Sequence, residues 1–202
     1  MGKIKNIVFD FGGVLVDWNP RYVFRTYFND ENEMEYFLSN VCNGEWNAEQ
    51  DRGRTFDEGV RLLKEQYPQY SEAIQMFKDR WEFMIKGEFP ETVELLKELK
   101  EKGYSIYGLT NWSAETIGKA YERFKFFALF DGIVVSGEER LLKPDKRIFK
   151  VLLDRYGLNP EECVFMDDSE ANVKSAAELG FNAIRFDCIQ NVREKLSGLL
   201  GA

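Results

Sequence analysis

Ile4-Lys5-Asn6-Ile7-Val8-Phe9-Asp10-Phe11-Gly12-Gly13-Val14-Leu15-Val16-Asp17 decides how the rest of the chain is read. Ile4 to Phe9 is a short, apolar, β-rich run, and it ends on an aspartate followed by a turn-forming Gly-Gly pair. Runs of the same kind recur at Tyr104 to Leu109, Gly132 to Val135, Cys163 to Met166 and Asn182 to Phe186. Between most of them lie amphipathic helical patterns. Pro90 to Lys102 puts Val93, Leu96 and Leu99 on one face and stops at Gly103, while Asp145 to Tyr156 pairs Ile148 with Leu152 and stops at Gly157. Glu170 to Leu179 turns Val173, Ala176 and Ala177 inward and stops at Gly180. This alternation predicts an α/β fold: a parallel sheet covered on both faces, with ligands gathering at the carboxyl ends of its strands.

The alternation lapses between residues 18 and 89, where the pattern is helical and no strand is expected. Tyr22, Phe24, Phe28, Tyr36, Phe37, Phe56, Leu62, Leu63, Phe77, Trp81 and Phe83 can build a small core there, so the aromatics read as packing and not as a cofactor box. The expected organisation is a core made of residues 1–17 and 90–202, with residues 18–89 inserted as an all-helical cap above the strand ends. A length of 202 residues suits one core plus one subdomain.

With 27 Lys+Arg against 35 Asp+Glu, the net charge of -8 opposes a nucleic-acid partner. The chain has no histidine, which excludes Ser-His-Asp and Cys-His catalysis, H-E-x-x-H metalloproteases and histidine phosphoryl carriers. Cys42, Cys163 and Cys188 form no C-x-x-C pair, so neither a disulfide framework nor a zinc site is expected. The run Ile4 to Val16 lacks membrane-spanning length and signal-cleavage chemistry, and Asn6 stands where a myristoylation motif needs Ser or Thr. A cytoplasmic protein without a membrane partner is the expectation. No G-x-G-x-x-G or P-loop spacing occurs, so neither a dinucleotide nor bound ATP is inferred.

Four stations fall at or just after strand ends: Asp10, Thr110-Asn111, Lys143 in Leu142-Lys143-Pro144, and Asp167-Asp168. Each alone has a structural explanation as a turn, helix cap or surface residue. Together they converge on one crevice, because a parallel sheet brings its carboxyl ends to one edge. Phosphoryl transfer needs an in-line nucleophile, a divalent cation on oxygen ligands, and positive or hydrogen-bonding partners for the equatorial oxygens; these residues can supply all of them. A carboxylate can serve as nucleophile because an acyl phosphate divides one difficult displacement into two easier steps.

These ordered stations resemble the four motifs of the haloacid dehalogenase superfamily, and the likeness covers essentially the whole chain. The resemblance implies a Rossmann-like core with an all-helical cap inserted after the first strand. It also implies that Asp10 is the nucleophile, that Thr110 and Asn111 hold the phosphoryl group, and that Lys143 neutralises charge. Asp10, the Gly12 carbonyl and Asp168 would bind Mg²⁺, with Asp167 orienting Lys143 and the metal waters. The expected partner is a small-molecule phosphate ester.

Phosphatases of this superfamily usually read Asp-x-Asp in the first motif, where the second Asp protonates the leaving group; here that position is Gly12. The missing acid-base help is worth about 10²–10⁴ in rate. Asp10 to Asp17, Asp-Phe-Gly-Gly-Val-Leu-Val-Asp, resembles a bacterial branch that carries the same glycine and includes enzymes acting on sugar phosphates. Asp17 is a candidate replacement acid, whose structural alternative is a turn or cap residue; Glu45 and Asp51 are weaker candidates. Trp18 and Trp46 can wall a substrate pocket or serve as core. Rival readings are a dehalogenase using the same aspartate on carbon, a signalling receiver domain and a catalytically weak phosphate-binding protein. A receiver places its acidic pair on the first strand, and dehalogenases normally carry Tyr at the position of Gly12.

Overall fold

The computed structural model describes residues 3–201. Its strands are β1 (Asn6–Phe9), β2 (Val16–Trp18), β3 (Ile85–Glu88), β4 (Ser105–Thr110), β5 (Gly132–Val135), β6 (Cys163–Asp167) and β7 (Asn182–Arg185). Five of them lie parallel in one sheet in the order β5-β4-β1-β6-β7. The chain leaves the central β1 for β4 and β5 on one side, then returns to β6 and β7 on the other. That reversal opens a crevice at the carboxyl end of β1, where α/β sheets place their ligands.

Period-two alternation divides the sheet between two cores. Val8, Leu109, Val134 and Phe165 pack with Ile148, Phe149 and Leu152 from the helix Lys146–Tyr156 and with Phe181. Ile7, Phe9, Ile106, Val164 and Met166 face the other way, towards Val93, Leu96 and Leu99 of the helix Pro90–Glu101 and Val192 and Leu196 of Ile189–Leu200. The helix Lys146–Tyr156 starts where Asp145 accepts the Arg147 N–H and stops where Gly157 takes φ 63°, as its sequence predicts.

Between β2 and β3 the chain is helical. Helices Glu31–Tyr36, Gly44–Asp51, Phe56–Gln66 and Ser71–Asp79 surround an aromatic core in which Phe24 meets Phe37 at 4.9 Å and Trp46 meets Phe77 at 5.1 Å. The reading of these rings as packing holds for Phe24, Phe37, Phe56, Phe77 and Trp81, which are buried, but not for Tyr36 and Phe83, which are 50% and 58% exposed.

Two local expectations need correction. Residues 85–88, read as part of an all-helical segment, form β3, which pairs antiparallel with β2 through Val16–Glu88 and Asp17–Gly87. Ile-Lys-Gly-Glu has little strand propensity of its own; its pairing comes from a partner about seventy residues upstream. The Phe89 N–H to Leu15 carbonyl bond (2.9 Å) and the Asn19 N–H to Met84 carbonyl bond (2.8 Å) lengthen this ribbon at both ends. Arg123 braces it from the core, donating to the Ile85 carbonyl at 3.0 Å and the Lys86 carbonyl at 3.2 Å. On the helix Glu170–Ala177, Ala177 is exposed, and the buried face is Asn172, Ser175 and Ala176. That face is polar because it supports the site, as described next.

Candidate active site

Each station is positioned by backbone that continues a strand. The Asp10 N–H donates to the Met166 carbonyl at 2.9 Å, carrying the β1–β6 pairing one residue further and placing Asp10 beside Asp167. The chain then folds around the Phe11 carbonyl, which accepts the N–H groups of Leu15 and Val16, both at 2.8 Å. The Phe11 ring is fully buried against Phe127 and Phe130 and anchors the turn. Gly13 has φ 74°, and a Cβ there would lie 2.4 Å from Asp168 Oδ2, so both conformation and space demand glycine. Gly13→Ala is expected to cost at least about 1–2 kcal/mol from the left-handed backbone alone and to displace the Asp168 carboxylate; a thermal melt of the metal-free variant checks it.

Lys143 is the electrostatic centre. Its side chain is fully buried, and Nζ lies 2.8 Å from Asp10 Oδ1, 2.6 Å from Asp167 Oδ2 and 2.7 Å from the Leu109 carbonyl, which satisfies its three hydrogens. Burial alone would lower the ammonium, but the facing charges of Asp10 and Asp167 outweigh it and hold Lys143 above its ordinary range. Burial is likewise the largest influence on Asp10, pushing its carboxyl up to about 7 against the opposing pull of Lys143.

Asp167 is saturated by protein donors. Besides Lys143 it accepts the Ser169 N–H at 2.8 Å and the Asn172 amide at 3.0 and 3.1 Å. Asp168 is exposed, takes backbone N–H groups of its own turn, and is raised by partial burial and by the Asp167 charge. Asn111 clamps the lysine loop: its amide donates to the Lys143 carbonyl at 3.0 Å and accepts the Lys143 N–H at 2.8 Å. Ser175 Oγ donates to the Pro144 carbonyl at 2.6 Å on the other side.

A cavity of about 310 Å³ opens above these groups, lined by Asp10, Gly12, Gly13, Asn111, Trp112 and Asp168 from the core and by Trp18, Asn47, Asp51 and Trp81 from the segment above. Thr110, Lys143 and Asp167 are buried outside that lining. Among the described residues, three buried side-chain polar atoms lack a protein partner: Thr110 Oγ1, Trp18 Nε1 and Asn47 Oδ1. All three belong to this neighbourhood, since Trp18 and Asn47 line the cavity and Thr110 adjoins Asn111. Carboxylate oxygens of Asp10, Asp167 and Asp168 lie within 4.8 Å of one another. A cluster of hard anionic oxygens of this size suits a small divalent cation. Since Asp167 spends its lone pairs on protein donors, Asp10 and Asp168 are the carboxylates left to face such an ion, and Gly12 lines the same cavity.

Asp10, Gly12, Asn111, Lys143, Asp167 and Asp168 are thus brought to one place, with Thr110 buried next to Asn111, whereas Asp17, Glu45 and Trp46 are not part of the cavity lining. Trp18 walls the cavity, whereas Trp46 is core, donating from Nε1 to the Gly59 carbonyl at 3.3 Å. Asp17 lies in the β2–β3 ribbon, takes the Tyr22 hydroxyl at 2.9 Å and is not part of the cavity lining. Asn47 and Trp112 line the cavity without having been singled out in the sequence, and Trp81, read there as packing, is buried but also lines the cavity. Only Asn47 left a trace there, four residues before Asp51 and hence on the same helix face.

A parallel sheet that gathers an aspartate, a lysine and an acidic pair at one edge defines a class, and the chain belongs to it: residues 4–180 match the haloacid dehalogenase-like hydrolases. The sesquiterpene phosphatase astK of Aspergillus oryzae is 29% identical over 87% of this chain and 86% of its own length. Acyl-CoA dehydrogenase family member 10 of Mus musculus is 28% identical over 96% of this chain, which spans 19% of that protein. Both phosphatases and (S)-2-haloacid dehalogenases occur among the relatives. Of solved structures, the HAD family enzyme BT-2542 of Bacteroides thetaiotaomicron superposes with a TM-score of 0.70 at 26% identity, covering 91% of this chain and 94% of that one. That enzyme has also been solved in complex with magnesium and inorganic phosphate. Among the described residues no helix is long and apolar enough to cross a membrane.

Proposed function

We propose that this hydrolase is a Mg²⁺-dependent phosphatase, acting on a small phosphate monoester of the sugar-phosphate kind through a phosphoaspartyl intermediate on Asp10. The observation that carries it is the meeting of Asp10 and Asp168 on one cavity wall with the buried Lys143 ammonium 2.8 Å behind the nucleophile. Lys143 fixes the Asp10 carboxylate and offsets charge as the phosphoryl group arrives. Thr110 Oγ1, buried and without a protein partner, is available to a phosphoryl oxygen. Asn111 holds the Lys143 backbone and retains a second amide hydrogen for the same group. Mg²⁺, held by Asp10, Asp168 and the Gly12 carbonyl, would neutralise phosphoryl oxygens and bring them in line with Asp10. Asp167 positions Lys143 and does not bind the ion directly. A dehalogenase would share Asp10, but the acidic pair gives the phosphatase reading the better account of the whole cavity wall. A cytoplasmic setting belongs to the same proposal and rests on the cysteine pattern.

Phosphate release from a panel of sugar phosphates, nucleotides and phospho-acids tests it. Release should require Mg²⁺ and vanish with chelator or in Asp168→Ala; full activity in chelator sinks the reading. The metal also needs Asp10 ionised, and burial holds that carboxyl up to about 7 in the metal-free protein. Apparent Mg²⁺ affinity should therefore be roughly constant well above pH 7 and fall by up to about tenfold per pH unit below it, as calorimetric titration at pH 6 and pH 8 would show.

A further inference from the structure

The first motif leaves the reaction without a proton donor at Gly12, and the cavity supplies another carboxyl group. We propose, resting on the phosphatase reading, that Asp51 is the general acid and base of this enzyme: it protonates the leaving oxygen and then activates the hydrolytic water.

The argument begins with in-line geometry. Attack by Asp10 places the leaving oxygen on the side of phosphorus away from Asp10, and the helical segment supplies part of the wall of the cavity that Asp10 lines. Of the residues that this segment contributes to the lining, Trp18, Asn47, Asp51 and Trp81, Asp51 alone can exchange a proton near neutral pH. The two partnerless atoms Trp18 Nε1 and Asn47 Oδ1 mark the same side as the place where the ester's organic portion is received.

Asp51 is also held in position. The Asn47 amide donates to its Oδ2 at 3.0 Å, and the Ser113 N–H donates to the same carboxyl group from the core. Its own carbonyl accepts the Ser136 hydroxyl at 2.6 Å, and Ser136 Oγ in turn accepts the Trp112 N–H at 2.9 Å. A residue of the helical segment is thus docked on two core loops at the edge of the cavity. Burial, more than the neighbouring charge of Asp10, pushes its carboxyl up to about 7, which suits a group that must give and take a proton near neutrality. Asp17, the first candidate from sequence, is spent on Tyr22 in the ribbon, and Glu45 is absent from the cavity lining.

The steps balance. An Asp10 oxygen bonds to phosphorus as the ester P–O bond breaks, and that electron pair takes the proton of the Asp51 carboxyl group to release an alcohol. The Asp51 carboxylate then accepts a proton from water, whose oxygen bonds to phosphorus. The P–O bond to Asp10 breaks, returning its electrons to the Asp10 carboxylate, and inorganic phosphate leaves with Asp51 protonated again.

The test is Asp51→Asn, compared with wild type on 2,4-dinitrophenyl phosphate and on simple alkyl phosphates, in Mg²⁺ and with the melting temperature measured alongside. Alkyl esters should lose about 10²–10⁴-fold in kcat/KM. The dinitrophenolate leaves without a proton, so its pre-steady-state burst should persist at near wild-type rate, followed by slow turnover as phosphoenzyme accumulates. Adding Gly12→Asp to the variant, where a Cβ meets nothing within 4 Å, should recover part of the alkyl activity. Wild-type rates on alkyl esters in the variant, or an equal loss of the burst and of alkyl cleavage, overturn the assignment of Asp51. Absence of phosphate release from the wild type on every ester overturns the phosphatase reading beneath it.

Discussion

Asp10→Asn should reduce turnover by about 10⁴-fold or more, the scale seen when a covalent nucleophile is removed. The amide keeps the shape and can still accept from Lys143 Nζ, but it has no anionic oxygen to offer phosphorus. The fold should survive. Lys143 retains Asp167 at 2.6 Å and the Leu109 carbonyl at 2.7 Å, so no buried cation is left alone. The variant also loses a buried carboxylate whose protonation the native state favours up to about pH 7, and should melt no lower than the metal-free parent. Hydroxylamine trapping during turnover distinguishes this mechanism from direct attack by water: the parent should yield a hydroxamate at position 10. Retention of more than about one per cent of the parent rate in the variant, well above the residual expected for a lost nucleophile, would end the covalent mechanism.

Lys143→Met should be the costliest single change for stability. It leaves the methylene volume nearly filled but strips Asp10 and Asp167 of their shared cation, in a site where all three groups are buried. Removing one partner from a buried charge cluster costs about 3–5 kcal/mol, which for a chain of this size corresponds to roughly 10 °C in Tm. The sign of its pH dependence follows from Asp10. Burial already raises that carboxyl against the pull of Lys143, and without the ammonium the opposition is gone, so protonation of Asp10 favours the native state. The deficit against the parent should be largest at pH 8 and shrink towards pH 5.5. Equal deficits at both values, measured in chelator, would mean that packing and not charge had been lost.

The sheet and its catalytic edge were legible in the sequence because both rest on local signals. Short continuous apolar runs mark β1, β4, β5, β6 and β7, and Asp10, Thr110-Asn111 and Asp167-Asp168 stand where three of those runs end. The failures have a common cause in non-local contacts. Strand β3 owes its conformation to β2, far back in the chain, and its own four residues carry no β signal. The polar face of the helix Glu170–Ala177 looks wrong by hydrophobic period because Asn172 and Ser175 answer to Asp167 and Pro144. Asp51 ranked below Asp17 because Asp17 is close to Asp10 in sequence, whereas Asp51 reaches the cavity only through the docking of one helix on Trp112, Ser113 and Ser136.

The ribbon of β2 and β3 carries a further consequence. Both crossings between the sheet and the helices above run side by side through a single two-stranded pairing, so mechanically the upper body hangs from one edge. Such a joint resists separation, because the paired strands must peel together, but yields to rotation about the ribbon. The far edge is anchored on the core by the Ser136 hydroxyl to the Asp51 carbonyl, by the Phe56 N–H to the Glu115 carboxylate and by the Trp81 ring against Trp112. Proton supply and enclosure are thereby tied together: any rotation about the ribbon that broke these contacts would carry the Asp51 carboxyl group away from the cavity in the same movement that admitted bulk water.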